Sequence, residues 1–161
     1  MKKLPDLLTI GYEGAIAGDL IATLRHARTE LLIDVRAIAS SRKPGFSKTL
    51  LAAGLAEQGI GYVHLRGLGT PKEGRQAVRS GHPEHMREIF AEHMKSERAR
   101  TELAQATWLA QTSLCCLLCF ERDHATCHRS IIAAAIRAET RQDITHLAVS
   151  KAGRCPDPQR G

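Results

Sequence analysis

The residues best suited to chemistry are a glutamate and a Cys-His-Arg triplet that lie close together in the chain. Glu121 follows a largely apolar run, 113–120, and Cys127-His128-Arg129 begins six residues after it. A carboxyl group at the end of a dry strand can act as a general acid or base, because burial raises its pKa. The alternative is that Glu121 forms an ion pair with one of three arginines, namely Arg36, Arg42 or Arg129.

The Cys-His-Arg triplet is expected to open a helix, where backbone N–H groups are unpaired and the helix dipole is positive. The pKa of Cys127 would be lowered there, especially beside His128 and Arg129, so its thiolate is a candidate nucleophile. The same arrangement would bind an anion. A third interpretation is structural, with Cys127 filling a small space and His128 capping or packing.

Polar side chains also follow the other predicted strands. Asp34 and Arg36 are two residues apart at the end of a strand, and therefore lie on one face. Either Asp34 orients an arginine and leaves Arg36 to bind substrate, or the two form a buried salt bridge. The remaining candidates for ligand binding are Tyr12, Ser41, Arg42 and His64, and the loop residues Lys43, Lys72 and Arg75 add further positive charge.

The elements that must position these residues are predicted to alternate between strands and helices. Short apolar runs predict strands at 7–12, 31–36, 60–65, 113–120 and 144–147. Apolar stripes predict helices at 19–27, 47–59, 84–111 and 127–138, the third with a break near Lys95. Residues 70–82 lack periodicity and are predicted to form a mobile loop.

Alternating strands and helices predict a single α/β domain over 1–150, followed by a flexible tail at 151–161. Its three layers are a mostly parallel sheet of about five strands with helices on both faces. The carboxyl ends of parallel strands meet at one edge, where ligands usually bind. The polar residues above are therefore expected to share one cationic site.

The amino-acid composition indicates which chemical class of partner to expect and where in the cell the protein is expected. The net charge of +6 favours anionic partners, either a small molecule or a nucleic acid. The five cysteines are an odd number and are predicted to be reduced, with Cys115, Cys116 and Cys119 in the core. No signal peptide and no membrane-spanning run is recognised, so the protein is expected in the cytoplasm.

Several motifs that would indicate a cofactor or metal are missing from the pattern. There is no Gly-x-Gly-x-x-Gly run and no Walker lysine motif, so no cofactor is predicted. Four residues could be imagined as zinc ligands, but their spacing matches no closed zinc site, so no metal is predicted either. These residues are Cys119, Glu121, Cys127 and His128.

A set of short motifs resembles one known family when taken together and in order. The motifs are Thr9-Ile10-Gly11-Tyr12, Asp34-Val35-Arg36, Ser41-Arg42 with Pro44-Gly45-Phe46, Tyr62-x-His64-Leu65 with Leu68-Gly69, Leu117-Leu118-Cys119-x-Glu121 and Cys127-His128-Arg129. Over residues 8–138 the chain resembles the family of domains of unknown function numbered 488. Thr70 stands where that family has a second glycine. The resemblance implies an intracellular α/β domain whose activity is not established.

Two functions of different classes follow from the residues. The first is an enzyme, a hydrolase or transferase, that acts on a phosphorylated substrate such as a nucleotide or nucleic acid. Glu121 would then be the acid/base, with Cys127 or Tyr12 assisting, and Arg36, Arg42 and Arg129 would bind the anion. The second is a non-catalytic nucleic-acid-binding module that uses the basic edge. A structural or protein-partner role is the third alternative.

Overall fold

Five parallel strands form the sheet in the computed structural model, which describes residues 2–151 and the backbone of residues 159–160. They are β1 (Leu7–Gly11), β2 (Leu31–Asp34), β3 (Gly61–His64), β4 (Cys115–Cys119) and β5 (Ile144–Leu147). Their order across the sheet is β3-β2-β4-β1-β5. A two-residue strand, β6 (Gln159–Arg160), pairs antiparallel with β5. The predicted parallel sheet of about five strands is confirmed.

Helices cover both faces of the sheet, as predicted. Their bounds are α1 (Ala17–His26), α2 (Lys48–Glu57), α3 (Lys72–Arg79), α4 (Pro83–His93), α5 (Glu97–Thr112) and α6 (His128–Thr140). One apolar cluster joins α1 and α2 to one face of the sheet, and a second joins the other four helices to the opposite face. The three-layer α/β architecture is therefore confirmed.

Strand β4 is the centre of the sheet and divides its side chains between the two clusters. All five of its residues are buried. Cys115, Leu117 and Cys119 face the helices α3–α6, whereas Cys116 and Leu118 face α1 and α2. Successive side chains of a strand point to opposite faces. A continuous apolar run therefore indicates a strand covered on both sides.

The predicted mobile loop at 70–82 is wrong, because α3 occupies most of it. The buried residues of this helix are Gly74 and Ala77, which are too small to produce a recognisable apolar stripe. Helix α3 packs against α4, and a Cβ at Gly74 would clash with Cγ2 of Thr70 in the turn that precedes α3. The helix depends on close packing of small residues.

Other boundaries agree with the sequence more closely. The break near Lys95 is confirmed, and Ser96 caps α5 by accepting a hydrogen bond from the backbone N–H of Ala99. Apart from Lys151 and the β6 backbone, the predicted flexible tail at 151–161 lies outside the described residues. Among the residues described, no helix combines the length and apolar character needed to cross a membrane.

Candidate functional site

A small pocket lies at the carboxyl edge of the sheet, where β1, β2 and β4 end side by side. Its volume is about 110 Å³. Its walls come from the ends of these strands, the turn before α3 and the first turn of α6. They are formed by Tyr12, Arg36, Ala37, Ile38, Thr70, Arg75, Cys119, Phe120, Glu121 and His128. Four of the ten residues are predicted site residues, so the structure brings part of the predicted set together.

Asp34 and Arg36 form a buried ion pair beneath this pocket. Asp34 is fully buried and Arg36 is 5% exposed. The guanidinium of Arg36 donates to both carboxylate oxygens, over 2.7 to 3.1 Å, and also to the carbonyl of Phe46 and the hydroxyl of Tyr12. Desolvation opposes the charge on Arg36, but the hydrogen bonds and charge of Asp34, with help from Tyr12, raise its pKa overall. The structure favours the buried salt bridge.

Arg129 is also buried, but it has no carboxylate within ion-pair distance among the described residues. Its guanidinium donates to the hydroxyl of Thr9, the sulfur of Cys119 and the backbone carbonyls of Glu121 and Arg122. Burial lowers its pKa. Arg129 therefore ties α6 to the ends of β1 and β4, and its charge lies directly behind the pocket wall.

Gly11 makes possible the close approach of β1 to Arg129 and to the backbone of Glu121. A Cβ atom there would collide with the backbone carbonyl of Glu121 and would lie 3.0 Å from a guanidinium nitrogen of Arg129. Only glycine lets the backbone of β1 approach so closely. A side chain at this position would displace the segment that carries Glu121.

Glu121 is partly buried on the pocket wall. Desolvation by the surrounding protein raises the pKa of its carboxyl group, although the charge of Arg129 opposes this shift. One carboxylate oxygen lies 3.3 Å from the sulfur of Cys119. A carboxyl group in this setting can exchange a proton with a ligand in the pocket.

The sulfurs of Cys119 and Cys127 are bonded to each other in the structure. The prediction that the cysteines are reduced is therefore wrong for Cys119 and Cys127, whereas the predicted core position of Cys119 is confirmed. The two cysteines come from different elements, the end of β4 and the N-cap of α6, so their approach is not visible in the sequence. Cys115 and Cys116 are free and buried, as predicted. Burial raises the pKa of Cys115 to about 12 and also raises that of Cys116.

Cys127 is the N-cap of α6, and its sulfur accepts a hydrogen bond from the backbone N–H of Arg129. The cysteine therefore satisfies one of the amides that were expected to bind an anion. Cys127 is 2% exposed and, unlike Cys119, does not line the pocket. The sulfur that faces the pocket belongs to Cys119.

His128 is held in one tautomer by the end of β2. Its Nε2 lies 2.7 Å from the backbone carbonyl of Val35, and a carbonyl can only accept, so Nε2 carries the proton. Burial lowers the pKa of His128 to about 4, and the ring is neutral at pH 7. Nδ1 therefore has a free lone pair, and it lies 3.6 Å from the sulfur of Cys127.

Three predicted residues lie away from the pocket. The Nε2 atom of His64 lies 2.7 Å from the carbonyl of Arg36, and His64 lines a neighbouring depression with Arg66. Ser41 accepts a hydrogen bond from the N–H of Lys43, and Arg42 is exposed in the same loop. The predicted common site therefore excludes His64, Ser41 and Arg42.

Sequence reasoning missed several residues that complete the pocket. Thr70 and Phe120 line it and were not site candidates, while Cys119 was assigned to the core after a zinc site had been considered and rejected. Arg75 appeared only as one of several loop cations. It donates to the carbonyl of Thr70 over 2.8 Å, and no carboxylate of the described chain lies within ion-pair distance of it. Residues 70–75 reach the strand ends through tertiary packing, and no local pattern in the sequence indicates this contact.

A parallel sheet with a polar pocket at its carboxyl edge defines the class, an α/β domain with a candidate ligand site. The sequence profile of one family, described as "Domain of unknown function DUF488", matches residues 17–136. This protein belongs to that family, and the predicted resemblance is confirmed over the matched segment. Comparison with curated proteins and with solved structures gives no significant match.

Proposed function

We propose that the pocket at the carboxyl edge binds an anionic, phosphate-containing ligand, and that Glu121 is required for its turnover. The charge balance around the pocket is the observation that carries this proposal. Arg36 is neutralised by Asp34, but Arg75 and Arg129 have no carboxylate within ion-pair distance in the described chain. Even with Glu121 ionised, the three arginines outnumber the two carboxylates, and the remaining positive charge favours an anion.

The size of the pocket limits which part of a ligand it can enclose. Its volume of about 110 Å³ is small beside the roughly 300–1,000 Å³ of pockets that enclose drug-sized ligands. A phosphate group fits, and the rest of a nucleotide would lie outside. Phe120 is 46% exposed at the rim and offers a ring on which a base can stack.

In this proposal Arg75 binds the phosphate and Glu121 exchanges a proton with it. The Arg75 guanidinium is half-buried and uses one nitrogen on Thr70, which leaves other N–H donors for a ligand. Glu121 faces the same cavity, and its raised pKa favours a group that can donate as well as accept a proton. The arrangement suits a hydrolase or transferase.

Calorimetric titration with nucleoside monophosphates, and with the matching nucleosides, tests the binding step. Arg75→Ala should weaken phosphate binding by about 10- to 100-fold, the value of a charged hydrogen bond. Arg79→Ala is the matched control, because Arg79 is exposed on the same helix and does not line the pocket. Equal losses in both variants, or no preference for phosphates over nucleosides, would contradict the proposal.

A screen of phosphorylated substrates tests turnover. Glu121→Gln should abolish it while circular dichroism and the unfolding transition remain close to those of the wild type. Cys116→Ser, in the core on the other side of β4, is the control that should retain activity. An active Glu121→Gln variant would refute the assignment.

A nucleic-acid-binding module remains the second candidate, favoured by exposed cations on the segment that leads into and forms α3 and by the exposed Phe120 ring. Arg66, Lys72 and Arg79 are exposed along the segment that precedes and forms α3. Binding through such residues should weaken steeply with salt, as counterions return to the phosphates. Gel-shift assays at increasing salt measure this, and absent or salt-insensitive binding would eliminate the module.

A further inference from the structure

Four potential metal ligands meet at one wall of the pocket. Each of Cys119, Glu121, Cys127 and His128 offers one ligand atom, and these four atoms lie within 4.8 Å of one another. Two sulfurs, one imidazole nitrogen and one carboxylate oxygen form a set that zinc commonly binds. Their sequence positions fit no standard zinc motif, because the four residues come from the end of β4 and the N-terminus of α6.

The orientation of His128 suits metal binding. Its Nε2–H is donated to the carbonyl of Val35 over 2.7 Å, which leaves Nδ1 unprotonated beside the sulfur of Cys127. Histidines that bind metals usually donate their other ring N–H to a carbonyl or carboxylate, which sets the tautomer and the ring orientation. The carbonyl of Val35 therefore already supplies the hydrogen-bond acceptor that a metal-binding histidine needs.

The backbone separation of the two cysteines also favours a shared ion. Their Cα atoms are 7.4 Å apart, whereas disulfides usually span about 4.4–6.8 Å. Two thiolates bound to one zinc at about 2.3 Å in tetrahedral geometry hold their sulfurs about 3.8 Å apart. Once the bond is reduced, this backbone spacing leaves room for the larger sulfur separation that a shared ion requires.

Arg129 completes the charge balance of the cluster. A divalent ion with two thiolates and one carboxylate carries a net charge of minus one, and the guanidinium of Arg129 cancels it. Arg129 already donates to the sulfur of Cys119 over 3.0 Å, and its backbone N–H donates to the sulfur of Cys127 over 3.5 Å. A buried cluster that is electrically neutral avoids the cost of an isolated charge.

We propose that, once a thiol reductant has cleaved the Cys119–Cys127 bond and been oxidised to its own disulfide, these four residues bind a zinc ion. Binding forms two Zn–S bonds, one Zn–N bond and one Zn–O bond, and releases each thiol proton to solvent. Cys119, Glu121 and His128 line the pocket, so the ion faces it, and Glu121 is the ligand that an incoming molecule can displace. The site shares the pocket of the proposed ligand but does not rest on that function.

Metal analysis of the full chain tests the site with no organic ligand present. The protein is purified without chelator under a thiol reductant and excess zinc, then desalted and analysed by plasma mass spectrometry. We expect about one zinc per chain. Cobalt(II) replacement should give a thiolate charge-transfer band and the intense visible bands of tetrahedral coordination. A cobalt spectrum of octahedral, oxygen-only type would overturn the proposal.

Variants separate the ligands from the other cysteines. Cys119→Ser and His128→Gln should lower zinc affinity by more than about 100-fold, beyond the usual effect of outer-sphere changes. Cys116→Ala should retain the ion, because its side chain lies on the opposite face of β4. Glu121→Gln, on a partly exposed side chain, should keep the thiolate band and change the visible bands.

Thiol counting distinguishes the ion from a stable disulfide. Alkylation of the unfolded, metal-free chain after purification under reductant should modify all five cysteines. Fully reduced wild-type protein that binds no zinc, or a pair that resists the reductant, would overturn the proposal. Phosphate binding by the same metal-free protein is measured separately, so that a failed metal site and a failed anion site give different results.

Discussion

Two buried arginines at the same edge of the sheet have opposite electrostatic surroundings. Arg36, after β2, donates to both oxygens of Asp34, whereas Arg129, in α6, donates to carbonyls, a hydroxyl and a sulfur. The pKa of Arg36 is raised, whereas burial lowers that of Arg129. The first arginine is neutralised within the fold. The second leaves a positive charge that a thiolate, metal-bound cluster or anion can balance.

In both proposals, the groups that bind a metal or exchange a proton lie on the β4–α6 side of the pocket. The guanidinium of Arg129 donates to the sulfur of Cys119 and the backbone carbonyl of Glu121, and its backbone N–H donates to the sulfur of Cys127. The charge of Arg36, in contrast, is balanced within the protein by the carboxylate of Asp34. Buried charges without a local counterion are costly, and they are found where a ligand or metal supplies the balance.

The largest expected effect comes from breaking the Asp34–Arg36 pair. Asp34→Asn leaves the Arg36 charge buried without compensation and should lower the free energy of unfolding by about 3–5 kcal/mol. Urea denaturation measures the loss. Asp143→Asn is the matched control, because the Lys3–Asp143 pair is exposed and should contribute about 1 kcal/mol or less. Similar losses in the two variants would show that Arg36 is not buried as described.

Replacing the second arginine should cost somewhat less. Arg129→Lys keeps the charge but removes the planar group that reaches Thr9, Cys119 and the two carbonyls, and should cost about 2–3 kcal/mol. Arg122→Lys, at an exposed neighbour, should cost nothing measurable. Thermal unfolding of both variants compares them. A loss in Arg129→Lys as small as that in Arg122→Lys would refute the anchoring role of Arg129.

Lowering the pH should destabilise the protein through His146, which lies near the unpaired charge of Arg129. The hydroxyl of Thr9 accepts from Arg129 and forms a hydrogen bond of 2.6 Å with Nδ1 of His146. Burial, with the nearby charges of His124 and Arg129, lowers the pKa of His146 to about 4. Since this folded pKa lies below the unfolded value of about 6.5, stability is fully present above pH 6.5 and is lost as the pH falls toward 4.

Between pH 7 and pH 5, His146 alone should account for about 2 kcal/mol of this loss. Denaturation of His146→Asn at both pH values should show an acid-induced loss smaller by about that amount, with the contribution of His128 still present. His85→Asn, on an exposed helix position, should leave the pH dependence unchanged. An identical pH dependence in His146→Asn and the wild type would contradict the role assigned to this histidine.

The smallest effect should come from Tyr62, which donates its hydroxyl proton to Asp34. Tyr62→Phe should lower stability by about 1–2 kcal/mol, because the carboxylate keeps its bonds to Arg36. A double-mutant cycle with Asp34→Asn sharpens the comparison, since most of the Tyr62 effect should vanish when the carboxylate is absent. Additive losses would place the Tyr62 contribution elsewhere.

Local pattern was enough to predict most of the fold. The apolar run of β4 has no polar position on either face, and this predicts a strand covered by helices on both sides. The two-residue spacing of Asp34 and Arg36 places them on one face, so their ion pair was among the predicted alternatives. Helix α3 was missed because Gly74 and Ala77, its buried residues, give no apolar periodicity.

The candidate site was only partly predictable. Strand ends meet at one edge of any parallel sheet, which is why Tyr12, Arg36, Glu121 and His128 were expected together and line one pocket. Loop residues follow no such rule. Arg42 and Arg75 are both basic loop or turn residues in the sequence, but only Arg75 is carried to the pocket, by the packing of α3.

Residue types, their two-residue alternation and the order of strands and helices are properties of the chain, and they led to a three-layer α/β domain with a polar carboxyl edge. Distances between residues of different elements are set by packing and cannot be read along the chain. Cys119 and Cys127 illustrate the difference. They are eight residues apart on a strand end and a helix cap, and strand order, Gly11 and Arg129 bring their sulfurs together beside His128.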